Sequence, residues 1–316
     1  PYVEPVPASL TSESATLAGL AAVACRGIDM AGVQVDQKVV VVGQGVIGHA
    51  AAQICRLKGA KVFERLCRYG DKGSYVWNLE QFDAVDPATA GHVLGLFEMS
   101  HMKYDYDRVQ DKAGEPSLAQ MADKAIDILS RNPEGFVLLI EGGRVDHGSH
   151  AGNAYRTLSD AVALNDAVKA VLRKVDLNET LIVVTGDHSH TLTIAGYAKR
   201  GNPILGISIG TDGKPILGAD GKPYTTIGFA NGPGGSKEPR ERPVLTMEQT
   251  TDPDFIQQSL VPMTSETHGG EDLGIYAIGP WAHLFQGTVE ENFTFHVMNF
   301  ASKIGERLSQ KQASAQ

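Results

Sequence analysis

The chain has 316 residues, 42% hydrophobic with 35 glycines, which suits one large α/β domain or two smaller ones and excludes a disordered polymer. Net charge is -9 with no Lys/Arg block, which argues against a nucleic-acid partner, although small anionic substrates stay compatible because a metal centre reverses the local sign. No apolar stretch reaches the ~20 residues of a membrane helix, so no membrane partner is expected, and the opening residues 1–10 show no export signal.

The cysteines, Cys25, Cys55 and Cys67, all precede residue 68; their odd number and unpaired spacing argue against a disulfide framework or a thiolate zinc site. In the same segment Lys38-Val39-Val40-Val41-Val42 is an apolar run of strand length. Gly43-Gln44-Gly45-Val46-Ile47-Gly48 follows, Val46 to Lys58 has helical periodicity, and Ala60-Lys61-Val62-Phe63 opens a second strand. A glycine fingerprint between a strand and a helix is locally Rossmann-like. Glu64 is the one acidic candidate for a ribose, and it comes early. No further strand–helix repeats follow in that pattern, and one βα unit cannot wall in a dinucleotide. The glycines are therefore expected to serve a tight turn, with no nicotinamide cofactor bound.

From about Arg68 the pattern changes. A weak strand at Tyr75-Val76-Trp77 and an apolar run Val93–Phe97 precede a helix opened by a capping box, Ser117 with Gln120, whose expected buried stripe is Leu118, Met121, Ala122, Ala125 and Leu129. Phe136–Ile140 reads as a strand. Leu158, Ala161, Leu164, Val168, Val171, Leu172 and Val175 mark a long helix, and strands are expected at Leu181–Thr185 and Gly274–Ile278. Alternating strands and helices imply a sheet covered on both faces. Between 196 and 266 the chain is rich in Gly and Pro, and Asp212-Gly213-Lys214-Pro215 recurs as Asp220-Gly221-Lys222-Pro223. This stretch is expected to be a long surface excursion built on turns, with a hairpin as one form of it.

Chemistry-bearing residues gather at the ends of these strands. Phe136–Ile140 runs into Glu141-Gly142-Gly143-Arg144-Val145-Asp146-His147-Gly148-Ser149-His150, and one helical turn would put Asp146 and His150 on one face. Leu181–Thr185 runs into Gly186-Asp187-His188-Ser189-His190, and Thr267-His268-Gly269-Gly270-Glu271 precedes the last strand. Loops at the carboxyl ends of strands in α/β sheets build the site, so the first two clusters can converge. Carboxylate and imidazole without thiolate suit catalytic zinc, with three protein ligands and one open position. Asp146, His150 and His268 make such a trio; Asp187 and His188 offer a second metal two ligands; Glu141, an oxygen ligand alone, suits magnesium. His147 and His190 are expected to support ligands rather than to be ligands.

The first segment, LAGLAAVACRGIDMAG…VVVVGQGVIGHAAAQICRLKGAKV, resembles the medium-chain alcohol dehydrogenases. The strings FVLLIEGGRVDHGSH, VVTGDHSH and SETHGGED closely match the metal motifs of alkaline phosphatases, and the resemblance runs from about residue 70 to 301. It implies an α/β fold with an alkaline-phosphatase-like sheet covered by helices on both faces, incomplete, behind a Rossmann-like fragment at 1–67. The phosphatase-like domain would be 68–316, with its surface insertion at 196–266. It also implies phosphate monoester hydrolysis, one zinc at Asp146, His150 and His268, a second at Asp187 and His188, and magnesium near Glu141. Periplasmic or secreted location and a homodimer are options that come with the family.

In that family a serine beside an aspartate attacks phosphorus and an arginine clamps the phosphate. No such segment stands in residues 1–69; the nearest string, Ser12-Glu13-Ser14-Ala15-Thr16-Leu17, has Glu for Asp and bulky neighbours. The catalytic nucleophile is therefore unknown, and impaired turnover is expected. The competing reading is a non-catalytic zinc-binding chimera, and a remote one is a nicotinamide-binding dehydrogenase fragment.

Overall fold

The computed structural model describes residues 73–236, 242–307 and 310. The dehydrogenase-like fingerprint, Glu64, the three cysteines and the expected boundary near residue 68 lie outside them. The chain divides into two compact units between Leu139 and Ile140.

In the first unit, two short apolar runs pair in parallel, β1 (Gly73–Val76) with β2 (His92–Gly95). Between them α1 (Leu79–Ala84) starts where Asn78 accepts from the Gln81 N–H. A four-residue helix, α2 (Asp105–Arg108), precedes α3 (Leu118–Leu129), which has the expected capping box: Ser117 accepts from the Gln120 backbone and the Gln120 side chain accepts from the Ser117 N–H. The buried line of α3 is centred on Ala122 and Ile126, one turn apart, rather than on the wider stripe expected from sequence. Met121 and Ile128 flank that line and pack with Val76, Phe82, Val85 and Ala90 into one apolar cluster. Cations close the carbonyl ends: Lys124 Nζ donates to the carbonyls of Phe82, Asp83 and Val85, and Arg131 donates to those of Ala88 and Ala90.

The second unit opens with α4 (Arg144–His150) and α5 (Ala154–Lys174). Asn153 caps α5 by accepting from the Arg156 N–H. The large apolar residues expected to bury α5 are half-exposed, and Leu172 is exposed; the buried positions are Ala154, Thr157, Asp160, Ala167 and Ala170. Small side chains let neighbouring backbone come close, which is why the tightest contacts of α5 do not follow its largest residues. Next come β3 (Ile182–Val184), β4 (Ser189–His190), β5 (Leu192–Ile194) and β6 (Ile227–Gly232). The short helix α6 (Met247–Thr250), β7 (Ser259–Pro262), β8 (His268–Gly269), β9 (Tyr276–Ile278) and α7 (Phe293–Ser302) complete it.

The strands expected near 181–185 and 274–278 pair antiparallel as β3 and β9. Phe136–Ile140, expected as a strand, has no assigned ladder among the described residues, and Val137 and Leu139 stand exposed. Its apolar run carries the period of a strand, but strand structure needs a partner edge as well as a pattern. One continuous sheet is likewise not seen among the described residues, where strands form sets of two or three. The stretch 196–266 is more than a surface excursion. It supplies β6 and β7, which join β5 in one sheet, and Ile227 and Phe229 are 1% and 3% exposed. The repeated turns are real: Gly213 and Gly221 take φ of +80° and +71°, with Asp212 and Asp220 each accepting from the lysine N–H two residues on.

Glu115 is 1% exposed, and burial pushes its carboxyl above the ordinary value, opposed by the Lys103 backbone N–H. A raised folded-state value means that this group favours folding at acid pH. The benefit is lost as pH rises from the ordinary carboxylate range through the raised value. Glu115→Gln should therefore match the parent below that window and unfold at a higher temperature above it. Thermal melts at pH 4 and pH 8 provide the comparison, and a lower melting point for the variant at pH 8 would contradict it.

Candidate metal centre

Three chain segments deliver the side chains. α4 carries Asp146 and His150 one turn apart, so both face the same way. β4 and β8 pair antiparallel with His190 directly opposite His268, and His188 precedes β4 by one residue. The backbone ties the pieces together: the Glu266 N–H donates to the His150 carbonyl at 2.9 Å, and Thr267 N–H donates to Asn231 Oδ1 at 2.9 Å.

α4 sits hard against α5. A Cβ on Gly148 would lie 2.7 Å from the Thr157 backbone nitrogen and 3.0 Å from its Cα. Ser149 is buried in the same contact, donating to the Val145 carbonyl at 3.1 Å and lying 3.3 Å from Thr157 Oγ1. Gly269 is equally tight, since a Cβ there would come within 3.0 Å of Ser189 Oγ and the His190 carbonyl.

The cluster is centred on one carboxylate oxygen. Asp146 Oδ1 lies 2.9 Å from His190 Nε2, 3.4 Å from His150 Nε2, 3.5 Å from His268 Nε2 and 3.7 Å from His188 Nε2. His150 and His268 bring their Nε2 atoms within 3.1 Å, and the His188 and His268 rings stack at 3.4 Å between centroids. Asp146, His188, His190 and His268 each offer one ligand atom within 4.8 Å of the others; His150, His190 and Glu266 form an adjoining group.

Four of the six residues expected from sequence thus meet: Asp146, His150, His188 and His268. Asp187 lies at the margin, its Oδ2 3.5 Å from His188 Nε2 and its side chain 88% exposed. Glu141 is exposed and outside both groups. His190 stands in the centre, whereas His147 lies against Arg144, its Nδ1 3.1 Å from Nη1. Glu266 was not anticipated. It lies two residues before His268, and a two-residue spacing in extended chain returns to the same side, which is the signal that could have found it.

The donor set suits zinc. At Zn–N and Zn–O distances of ~2.0–2.1 Å, the edge of a tetrahedron is ~3.4 Å. The three edges of Asp146, His150 and His268 are 3.1, 3.4 and 3.5 Å.

An α/β scaffold holding carboxylate and imidazole groups at strand and helix ends defines a candidate cation-binding protein. The chain belongs to the alkaline phosphatase family, whose model matches residues 53–304. It is 42% identical over 234 residues to the tissue-nonspecific alkaline phosphatase of Rattus norvegicus, covering 74% of this chain and 43% of that protein. It is 41% identical over 235 residues to an alkaline phosphatase of Gadus morhua, covering 74% and 48%. The chain therefore spans less than half the length of these curated relatives. Among solved structures, the Thermus thermophilus alkaline phosphatase superposes with a TM-score of 0.55 at 20% identity, over 89% of this chain and 64% of that one. A TAB5 alkaline phosphatase variant with magnesium in its M3 site gives 0.50 at 20% identity, over 83% and 59%. Both support the α/β fold.

Gly148→Ala should lower stability by about 1–3 kcal/mol, because the new methyl meets helix backbone that cannot swing aside. Chemical denaturation measures it. A variant as stable as the parent would show that α4 can move away from α5 freely.

Proposed function

We propose that this chain carries the zinc-binding part of a phosphate monoester hydrolase. The observation that supports it best is the near-tetrahedral triangle of Asp146, His150 and His268, on a chain that belongs to the alkaline phosphatase family. These three residues would hold one zinc. Asp187 and His188 would contribute to a second zinc site, and Glu141 to a magnesium site. Bound there, the metals supply positive charge against the oxygens of a phosphoryl group. Asp146 bears the balancing negative charge, the imidazoles fix the direction of approach, and His190 holds Asp146 in place through its 2.9 Å contact. The substrate class is the phosphate monoester.

The serine nucleophile, its adjacent aspartate and the phosphate-clamping arginine are not found in residues 1–69. Removing a nucleophile costs many orders of magnitude where residues act as a unit. The chain alone should therefore bind zinc yet hydrolyse 4-nitrophenyl phosphate at alkaline pH far more slowly than the family norm. The control is Asp187→Ala, which separates this chain's rate from a contaminating phosphatase. Fast turnover abolished by that substitution would mean that a nucleophile is present, and Ser14→Ala would be the next variant.

Zinc affinity tests the ligand set directly. Loss of a partner behind a ligand costs ~10–100-fold in metal affinity, so loss of a ligand should cost at least about 100-fold. His268→Ala and Asp146→Ala should each show that drop in a chelator competition titration. Unchanged affinity in both would remove the triangle from the zinc site.

A further inference from the structure

Glu266 is 1% exposed, and its carboxylate is fully enclosed. A buried carboxylate is costly unless hydrogen bonds satisfy it, and this one is satisfied on both oxygens. Oε1 accepts from the Thr191 N–H at 2.6 Å and from Thr191 Oγ1 at 2.8 Å. Oε2 lies 2.7 Å from His190 Nδ1 and 3.6 Å from His150 Nδ1. The backbone of the same residue grips His150 twice. Its carbonyl lies 2.6 Å from His150 Nδ1, and its N–H donates to the His150 carbonyl.

A carboxylate and a carbonyl can only accept, so the Nδ1 atoms of His190 and His150 must be the donors. For His150, an Nδ1–H toward the Glu266 carbonyl leaves the Nε2 lone pair aimed at His268 and Asp146, the tautomer a metal ligand needs. For His190, the Nδ1–H bond to Oε2 sets the ring angle and so the place of Nε2, 2.9 Å from Asp146 Oδ1; that oxygen also only accepts, so holding it by a hydrogen bond takes a proton on Nε2 as well.

We infer that Glu266 is the positioning residue of this centre: its carbonyl orients His150 and its buried carboxylate orients His190, which in turn holds Asp146. The inference rests on the zinc reading above. Thr191 serves the same end by pinning the carboxylate from the far side. Glu266 touches neither substrate nor metal in this role. Its effect runs through the direction of the ring nitrogens.

Glu266→Gln separates orientation from packing. Glutamine fills the same space and can still accept from Thr191. Its amide nitrogen then faces His190 Nδ1 as a donor, which reverses the demand on that ring. The full-length variant should fold with a melting temperature near the parent's and bind zinc about 10–100-fold more weakly. With cobalt in place of zinc, its visible absorption bands should shift, because the ligand angles change. Side-chain nitrogen NMR of the parent should show His190 and His150 protonated at Nδ1, with His190→Asn and His150→Asn used to assign the signals.

Parent-like zinc affinity and cobalt spectrum in a folded Glu266→Gln would overturn the inference. If that variant fails to fold, the parent's NMR decides alone, and an unprotonated Nδ1 on either ring overturns it. Asp146→Ala distinguishes the two levels. If the parent binds no zinc, or Asp146→Ala binds it equally well, the zinc reading itself is at fault; if only Glu266→Gln is silent, the positioning role is.

Discussion

Four imidazole nitrogens approach within 3.7 Å of a single carboxylate oxygen, Asp146 Oδ1, and that crowding is the constraint on which the second unit turns. A neutral imidazole has one donor and one acceptor nitrogen, and a carboxylate has only acceptors. Packed this tightly, lone pairs face lone pairs unless a cation or a proton stands between them. The arrangement therefore favours a positively charged guest. Holding such a cluster together needs rigid support, and the support comes from close backbone packing more than from large apolar side chains.

Gly148 and Gly269 show how that support works. Both sit where a single added carbon would collide with neighbouring backbone, one where α4 meets α5 and the other where β8 meets β4. α4 then presents Asp146 and His150, while the β4–β8 ladder presents His190 and His268 across from one another. Glu266 links the two, bonded by its backbone to His150 and by its side chain to His190 and Thr191. The site is thus a joint between a helix and a two-stranded ladder, with one buried carboxylate as the pin. Burying that carboxylate is tolerable because its oxygens are enclosed by donors.

Much of the site was legible before any coordinates. The helical spacing of Asp146 and His150 and the apolar runs ending in Asp-His strings point to Asp146, His150 and His188, whereas His268, which precedes its strand, enters only as the third member of a ligand trio. The capping box at Ser117 was equally clear, because its signal is local and chemical. Glu266 was missed because a carboxylate two residues before a histidine is common, and only long-range contact with Thr191 makes this one special. The stripe on α5 was misjudged for a related reason. Periodicity ranks residues by apolarity, whereas close approach selects alanine and threonine. The run Phe136–Ile140 has no strand partner among the described residues, since pairing depends on which distant edge is available, and the span 196–266 holds strands as well as turns, which turn-rich composition does not exclude. Asp187 stands at the margin of the cluster, 3.5 Å from His188, and Glu141 lies outside it.

The most direct test of the account is zinc X-ray absorption on the full chain loaded with one equivalent of metal. Two imidazole nitrogens and a carboxylate oxygen predict nitrogen and oxygen scatterers at ~2.0–2.1 Å, the outer-shell pattern of imidazole rings, and no sulfur. That result should persist when Cys25, Cys55 and Cys67 are all replaced by serine. A sulfur shell at ~2.3 Å that vanishes in the serine variant would place the metal on the cysteines and contradict the account.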